Sequence, residues 1–198
     1  MQSKLSNDPS TLREAMAASA RHDAERAIEL LLQACDEAPG AAAPRLLLGA
    51  EYAQAGRLAD AEGAFAHAVL LDPGLHIARF QLGLLLFTAG RAGTALVVWQ
   101  PLLALAGPAD LQRFVEGFAA LARDDLALAR QRLQEGLALL VDNPPLAADM
   151  RKVIARIDEV LTPEPAPAST AAASSDGAGE PTSAHVLLSN YGASGPRH

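Results

Sequence analysis

The chain has 198 residues, half of them hydrophobic, and a formal charge of −7. That length supports one ordinary domain with a real core. The acidity excludes nucleic acid as the main partner, because a phosphate backbone calls for a field of Lys and Arg, and it excludes a basic helix lying on a membrane surface.

Ala and Leu dominate, while β-branched and aromatic residues are few. Helix formers in that excess predict an all-α fold. The opening MQSKLSNDPS has no basic region followed by an apolar run, so no signal peptide is expected and the expected location is cytoplasmic. A first helix is predicted over 10–20, opened by Asp8-Pro9 and Thr11-x-x-Glu14. A second, over 24–37, carries Cys35, the one cysteine; it can form no internal disulfide. Asp36 and Glu37 beside it oppose a reactive thiolate, so Cys35 reads as a small core residue. Further helices are predicted over 42–55 and 58–71, 76–89 and 92–106, and 110–122 and 126–140. The most apolar stretch, Ala95 to Ala106, is interrupted by Gln100 and Pro101 and is too short to span a bilayer. Pro101 removes one backbone bond inside its helix and predicts a kink. Asp124-Asp125 falls between two predicted helices and reads as an N-cap pair. A ninth helix, over 146–161, has Ala147, Met150, Ile154, Ile157 and Leu161 on one face. Asp149, Arg151, Lys152, Arg156, Asp158 and Glu159 occupy the other, as expected of a capping helix.

These helices follow a period. Gly49, Gly83 and Gly117 are 34 residues apart, and the same frame surrounds each. One copy reads Leu48-Gly49-x-x-Tyr52, then Gly56, Ala61, Phe65, Ala68 and Pro73; the next reads Leu82-Gly83-x-x-Leu86, then Gly90, Ala95, Trp99 and Pro108. A fourth copy keeps Gly117, Ala129, Leu133 and Pro144, and a degenerate first keeps Ala27, Leu31, Ala34 and Pro39. The pattern resembles the tetratricopeptide repeat, whose Leu-Gly-x-x-Tyr element, small residue, aromatic and closing Pro share that period. The resemblance covers about residues 8–143 and is fullest over 42–75. It implies a tetratricopeptide-type α-solenoid over 8–161, of about four helix pairs (8–41, 42–75, 76–109 and 110–143) plus the capping helix. In such a frame Tyr52, Phe65 and Trp99 fill the space between paired helices, so they are core and not a cofactor box.

The first helices carry a second apolar stripe. Phe80, Leu84 and Phe87, and likewise Phe114, Phe118 and Leu121, fall at i, i+4 and i+7. The resemblance maps this stripe to a concave groove that takes peptides. Its expected lining is Leu46, Ala50, Ile77, Phe80, Leu84, Phe87, Leu111, Phe114, Phe118 and Leu121, with Leu12, Met16 and Ala53 continuing it in the first two repeats. The groove is expected to be deepest across the third and fourth repeats; the competing arrangement is a closed winding in which these rings pack on one another. Arg45, Arg79 and Arg113 also keep the 34-residue period. They read either as snorkelling side chains or as an anion rail beside the groove.

Residues 162–183 are mostly Pro, Ala, Ser, Thr and Gly and predict a disordered linker. Residues 184–198 hold an apolar island, with Val186, Leu187, Leu188 and Tyr191 as a candidate docking segment for a partner or for the chain's own groove. No metal-ligand spacing, phosphate loop or nucleophile motif occurs, so no cofactor and no catalysis are expected. The sequence thus points to an adaptor or assembly factor that binds another protein or peptide, with no nucleic acid and no membrane insertion. Two alternatives accompany it. One is a cytoplasmic chaperone of a secreted client, resembling the type III secretion chaperones in size and repeat number only; the other is a regulatory subunit whose tail recruits an enzyme.

Overall fold

The structure, a computed structural model, describes residues 9–104 and 107–162. The fold is all-α. Among the described residues the helices are α1 (Pro9–Ala20), α2 (Ala24–Glu37), α3 (Ala42–Gln54), α4 (Leu58–Leu71), α5 (His76–Thr88), α6 (Ala92–Ala104), α7 (Ala109–Leu121), α8 (Leu126–Leu139) and α9 (Pro144–Leu161). Each predicted helix is present to within two residues where described. The expected linker beyond residue 162, the docking segment 184–198 and the end of the 92–106 prediction lie outside the described residues. None of the helices is long and apolar enough to cross a membrane.

The 34-residue period is written into the backbone. Each helix pair is joined through one residue in the left-handed region: His22 (φ 60°), Gly56 (φ 73°), Gly90 (φ 77°) and Asp124 (φ 57°). The N–H of the following residue closes the same wide bond onto the preceding helix. Asp23 N donates to Ala18 O (3.0 Å), Arg57 N to Tyr52 O (2.8 Å), Arg91 N to Leu86 O (2.9 Å) and Asp125 N to Ala120 O (3.0 Å). This is a Schellman closure, which satisfies a carbonyl the helix end would leave bare. The next helix then starts on a side-chain cap where the sequence supplies one. Asp23 accepts from Arg26 N (3.3 Å) and Asp125 from Leu128 N (3.1 Å), so Asp125 alone of the Asp124-Asp125 pair caps α8. Asn143 does the same for α9, accepting from Leu146 N (3.1 Å), with Pro144 in the first turn where a missing N–H costs nothing.

The core repeats in the same register. Ala27, Ala61, Ala95 and Ala129 are fully buried, as are or nearly are Leu31, Phe65, Trp99 and Leu133 four residues on. Small residues on the first helices receive these bulky ones. A methyl group on Gly49 would lie 2.6 Å from the Phe65 ring, on Gly83 2.1 Å from Trp99 Nε1, and on Gly117 2.8 Å from Leu133 Cγ. Only a bare Cα permits helices to approach that closely.

The described chain divides into two compact units, residues 9–99 and 100–162, and the division falls inside α6, one residue before Pro101. In the first unit, α1 packs on α2, α2 on α3, α3 on α4 and α4 on α5. A salt bridge from Arg91 to Glu62 (2.8 Å) ties the turn after α5 to α4. In the second, α8 packs on both α7 and α9. Ala147, Met150, Ile154 and Ile157 of the expected α9 stripe are buried, as is Leu146, while Leu161 at its end is 44 % exposed. Arg130 on α8 pairs with Asp158 on α9 at 2.5 Å. Helix α6 continues through Pro101.

Candidate functional site on the first-helix face

The expected groove lining separates into buried and open members. Phe80, Leu84, Phe87, Leu111, Phe114, Phe118 and Leu121 are all buried, whereas Leu46, Ala50 and Ile77 are half-exposed. Of the residues expected to line the groove in the third and fourth repeats, only Ile77 is accessible here.

Geometry gives the reason for three of the rings. Phe80 and Phe87 stack on Trp99, with centroids 5.8 and 5.9 Å apart, and Trp99 Nε1 donates to Phe80 O at 3.0 Å. A tryptophan in this frame position is large enough to reach both rings, so they join the interior of the helix pair. Phe114 reaches inward in the second unit, where a methyl on Gly136 would lie 2.4 Å from its Cε1. Glycine on α8 leaves room that a phenylalanine on α7 fills, and burying a ring of that size contributes about 2–3 kcal/mol. A helix apolar on nearly every side is stable only when covered on both.

What remains open lies in the first unit, on α1 and α3. Leu12, Met16 and Ser19 fall at i, i+4 and i+7 on α1; Leu46, Ala50 and Ala53 repeat that spacing 34 residues later on α3. All are half-exposed except Met16, which is 55 % exposed. The two helices are tied by the Ser19 hydroxyl, which donates to the buried Glu51 carboxylate. That bond links the two helices that carry this stripe of Leu, Met and Ala side chains. Other exposed apolar side chains, such as Leu32, Leu70 and Val97, stand on three different second helices. Single exposed residues of that kind are ordinary surface.

The arginine ladder also divides. Arg113 is held by Glu116 (2.7 Å) and Glu135 (3.4 Å), and Arg132 bridges the same two carboxylates at 3.4 and 2.8 Å. The four charges close a neutral ring between α7 and α8. The hydrogen bond to Glu116 raises the Arg113 pKa, and hydrogen bonds from Gln131 and then Arg132 lower that of Glu135. Arg45 and Arg79, both half-buried, form no ion pair with the described residues. Arg45 Nε is buried without an acceptor.

Cys35 is buried, and burial pushes its pKa up, partly offset by Arg45. It is a protonated core thiol at neutral pH, as its acidic neighbours suggest. The tail residues Val186, Leu187, Leu188 and Tyr191 lie outside the described residues.

Two features escaped the sequence reading. The charge ring was visible as two Arg-x-x-Glu pairs, Arg113/Glu116 and Arg132/Glu135, but their meeting depends on how α7 lies on α8. His22 and Asp124 occupy the register positions of Gly56 and Gly90, so the period itself was the available signal. No protein-family model matches the chain, and no curated protein matches it.

Proposed function

We propose that this chain is a tetratricopeptide-type binding module, an adaptor or assembly factor that captures an apolar segment of another protein on the α1–α3 face. The observation that carries this reading is the open stripe itself. In a chain that buries the corresponding residues Phe80, Leu84 and Phe87 on α5, the equivalent positions Leu12, Met16, Leu46, Ala50 and Ala53 stay accessible, with Met16 55 % exposed. Accessible apolar side chains repeated in register on a framework otherwise held by close helix contacts favour a partner-binding role. Small residues such as Ala50 and Ala53 allow a bound chain to approach the helix backbone.

The test selects peptides from a displayed random library on the full chain and maps the best binder by hydrogen exchange. Added protection is expected over 10–20 and 42–54. Met16→Glu with Ala50→Glu should abolish binding while far-ultraviolet circular dichroism stays unchanged, since Met16 is exposed and Ala50 half-exposed. Protection confined to other helices, or binding untouched by the double variant, refutes the assignment of this face.

A further inference from the structure

We propose that Arg45 and Arg79, on the first helices α3 and α5 of the first unit, form a docking site for the carboxylates of an acidic segment in the protein partner. This rests on the reading that the first unit binds another protein.

The fourth repeat shows what an arginine in this register grips. Arg113 takes two carboxylates, Glu116 three residues on in its own helix and Glu135 from the paired helix. The positions 34 residues earlier, which would serve Arg79 in the same way, hold Leu82 and Pro101; those that would serve Arg45 hold Leu48 and His67. The chain therefore supplies the acidic half of the arrangement once and omits it twice. Arg45 and Arg79 keep the cation without an ionic partner among the described residues, and both lie within the unit formed by residues 9–99. Both residues are half-buried, and an ion partly withdrawn from water attracts an opposite charge through less screening.

Arg45 adds an independent observation. Its Nε is buried with no hydrogen-bond acceptor. A buried cationic N–H without an acceptor is unfavourable, and such groups in a native fold call for an explanation. A carboxylate on the remaining edge of the guanidinium, with the side chain adjusting to share its Nε, would supply the missing acceptor. Arginine suits this because its planar fork meets a carboxylate through two parallel bonds. Arg45 directly precedes Leu46 of the open stripe on α3, and Arg79 holds the same register on α5, where the stripe itself is buried. A partner segment that mixes acidic and apolar residues could therefore use both features at once.

The probe is a fluorescein-labelled octapeptide of alternating Leu and Glu, with Gln replacing Glu in the control, titrated against the full chain by anisotropy. The Glu peptide should bind at least about tenfold more tightly than the Gln peptide, the scale of a charge-assisted bond. Arg45→Gln with Arg79→Gln should erase that advantage, as should raising salt from about 0.05 to about 0.5 M. Arg79→Gln alone, which removes no described bond, should reduce it, and Arg113→Gln should leave it intact. Equal binding of the two peptides, or a Glu advantage that survives Arg45→Gln with Arg79→Gln, overturns the proposal. If the Gln peptide binds, loses affinity with Ala50→Glu and shows no charge advantage, the apolar face stands and the arginine site falls. If the Glu advantage tracks the arginines while Ala50→Glu has no effect, the arginine site stands and the apolar face falls. Binding of neither peptide sinks both.

Discussion

Replacing Gly83 by alanine adds one methyl group to the middle of α5, and the structure fixes the sign of the outcome. By helix propensity alone the change stabilises, since glycine inside a helix is about 1 kcal/mol less favourable than alanine. The new Cβ, however, would stand 2.1 Å from Trp99 Nε1 and 2.3 Å from Cε2. The indole cannot swing aside cheaply. Its N–H is bound to Phe80 O at 3.0 Å, and Phe80 and Phe87 stack against it. Overpacking against a seated ring costs about 3 kcal/mol, the upper part of the usual range, because there is no soft neighbour to give way. The net expectation is a loss of about 2 kcal/mol. Gly63 is the control: it lies in α4, and a methyl there meets nothing within 4 Å. Gly63→Ala should therefore gain about 1 kcal/mol. Urea unfolding followed by circular dichroism measures both, and the fluorescence of Trp99, the chain's single tryptophan, reports on the affected seat. With a slope of about 2 kcal/mol per molar, the midpoints should move apart by about 1.5 M. A Gly83→Ala protein as stable as the wild type, with unshifted tryptophan emission, would refute the close contact between α5 and Trp99.

His22→Gly should stabilise the chain by about 1 kcal/mol, and Asp124→Gly by less, because both residues hold a left-handed backbone that aspartate tolerates better than histidine; thermal unfolding of each variant measures it, and a loss at position 22 would contradict the turn geometry. Glu135→Gln should lower stability at neutral pH, because the native carboxylate is held below its ordinary pKa of 4.5 by hydrogen bonds from Gln131 and Arg132. A depressed carboxylate stabilises the fold above its unfolded pKa and stops doing so as pH falls through the folded one. The gap between wild type and Glu135→Gln should accordingly be full near pH 7 and close as the pH falls from 4.5 through the lowered native pKa, read from unfolding midpoints across that range; a gap independent of pH would show that the charge ring contributes nothing through ionisation.

The helices, their pairing and their register were legible in the sequence for a physical reason. Close approach of two helices demands a small residue at one place and a large one opposite, and the pattern Gly49/Phe65, Gly83/Trp99, Gly117/Leu133 states that demand in letters. Helix ends were equally local, since Asp125 and Asn143 cap through their own side chains and Gly56 and Gly90 turn because they lack a Cβ. The fate of the second apolar stripe was not legible. Periodicity places Phe80, Phe87 and Phe114 on a face, but whether a face is covered depends on the size of residues far along the chain. Trp99 is broad enough to gather two of those rings, and Gly136 is empty enough to admit the third. The arginine ladder followed the same division: its spacing was in the sequence, while the neutral ring around Arg113 followed from which carboxylates the packing of α7 and α8 brought within reach.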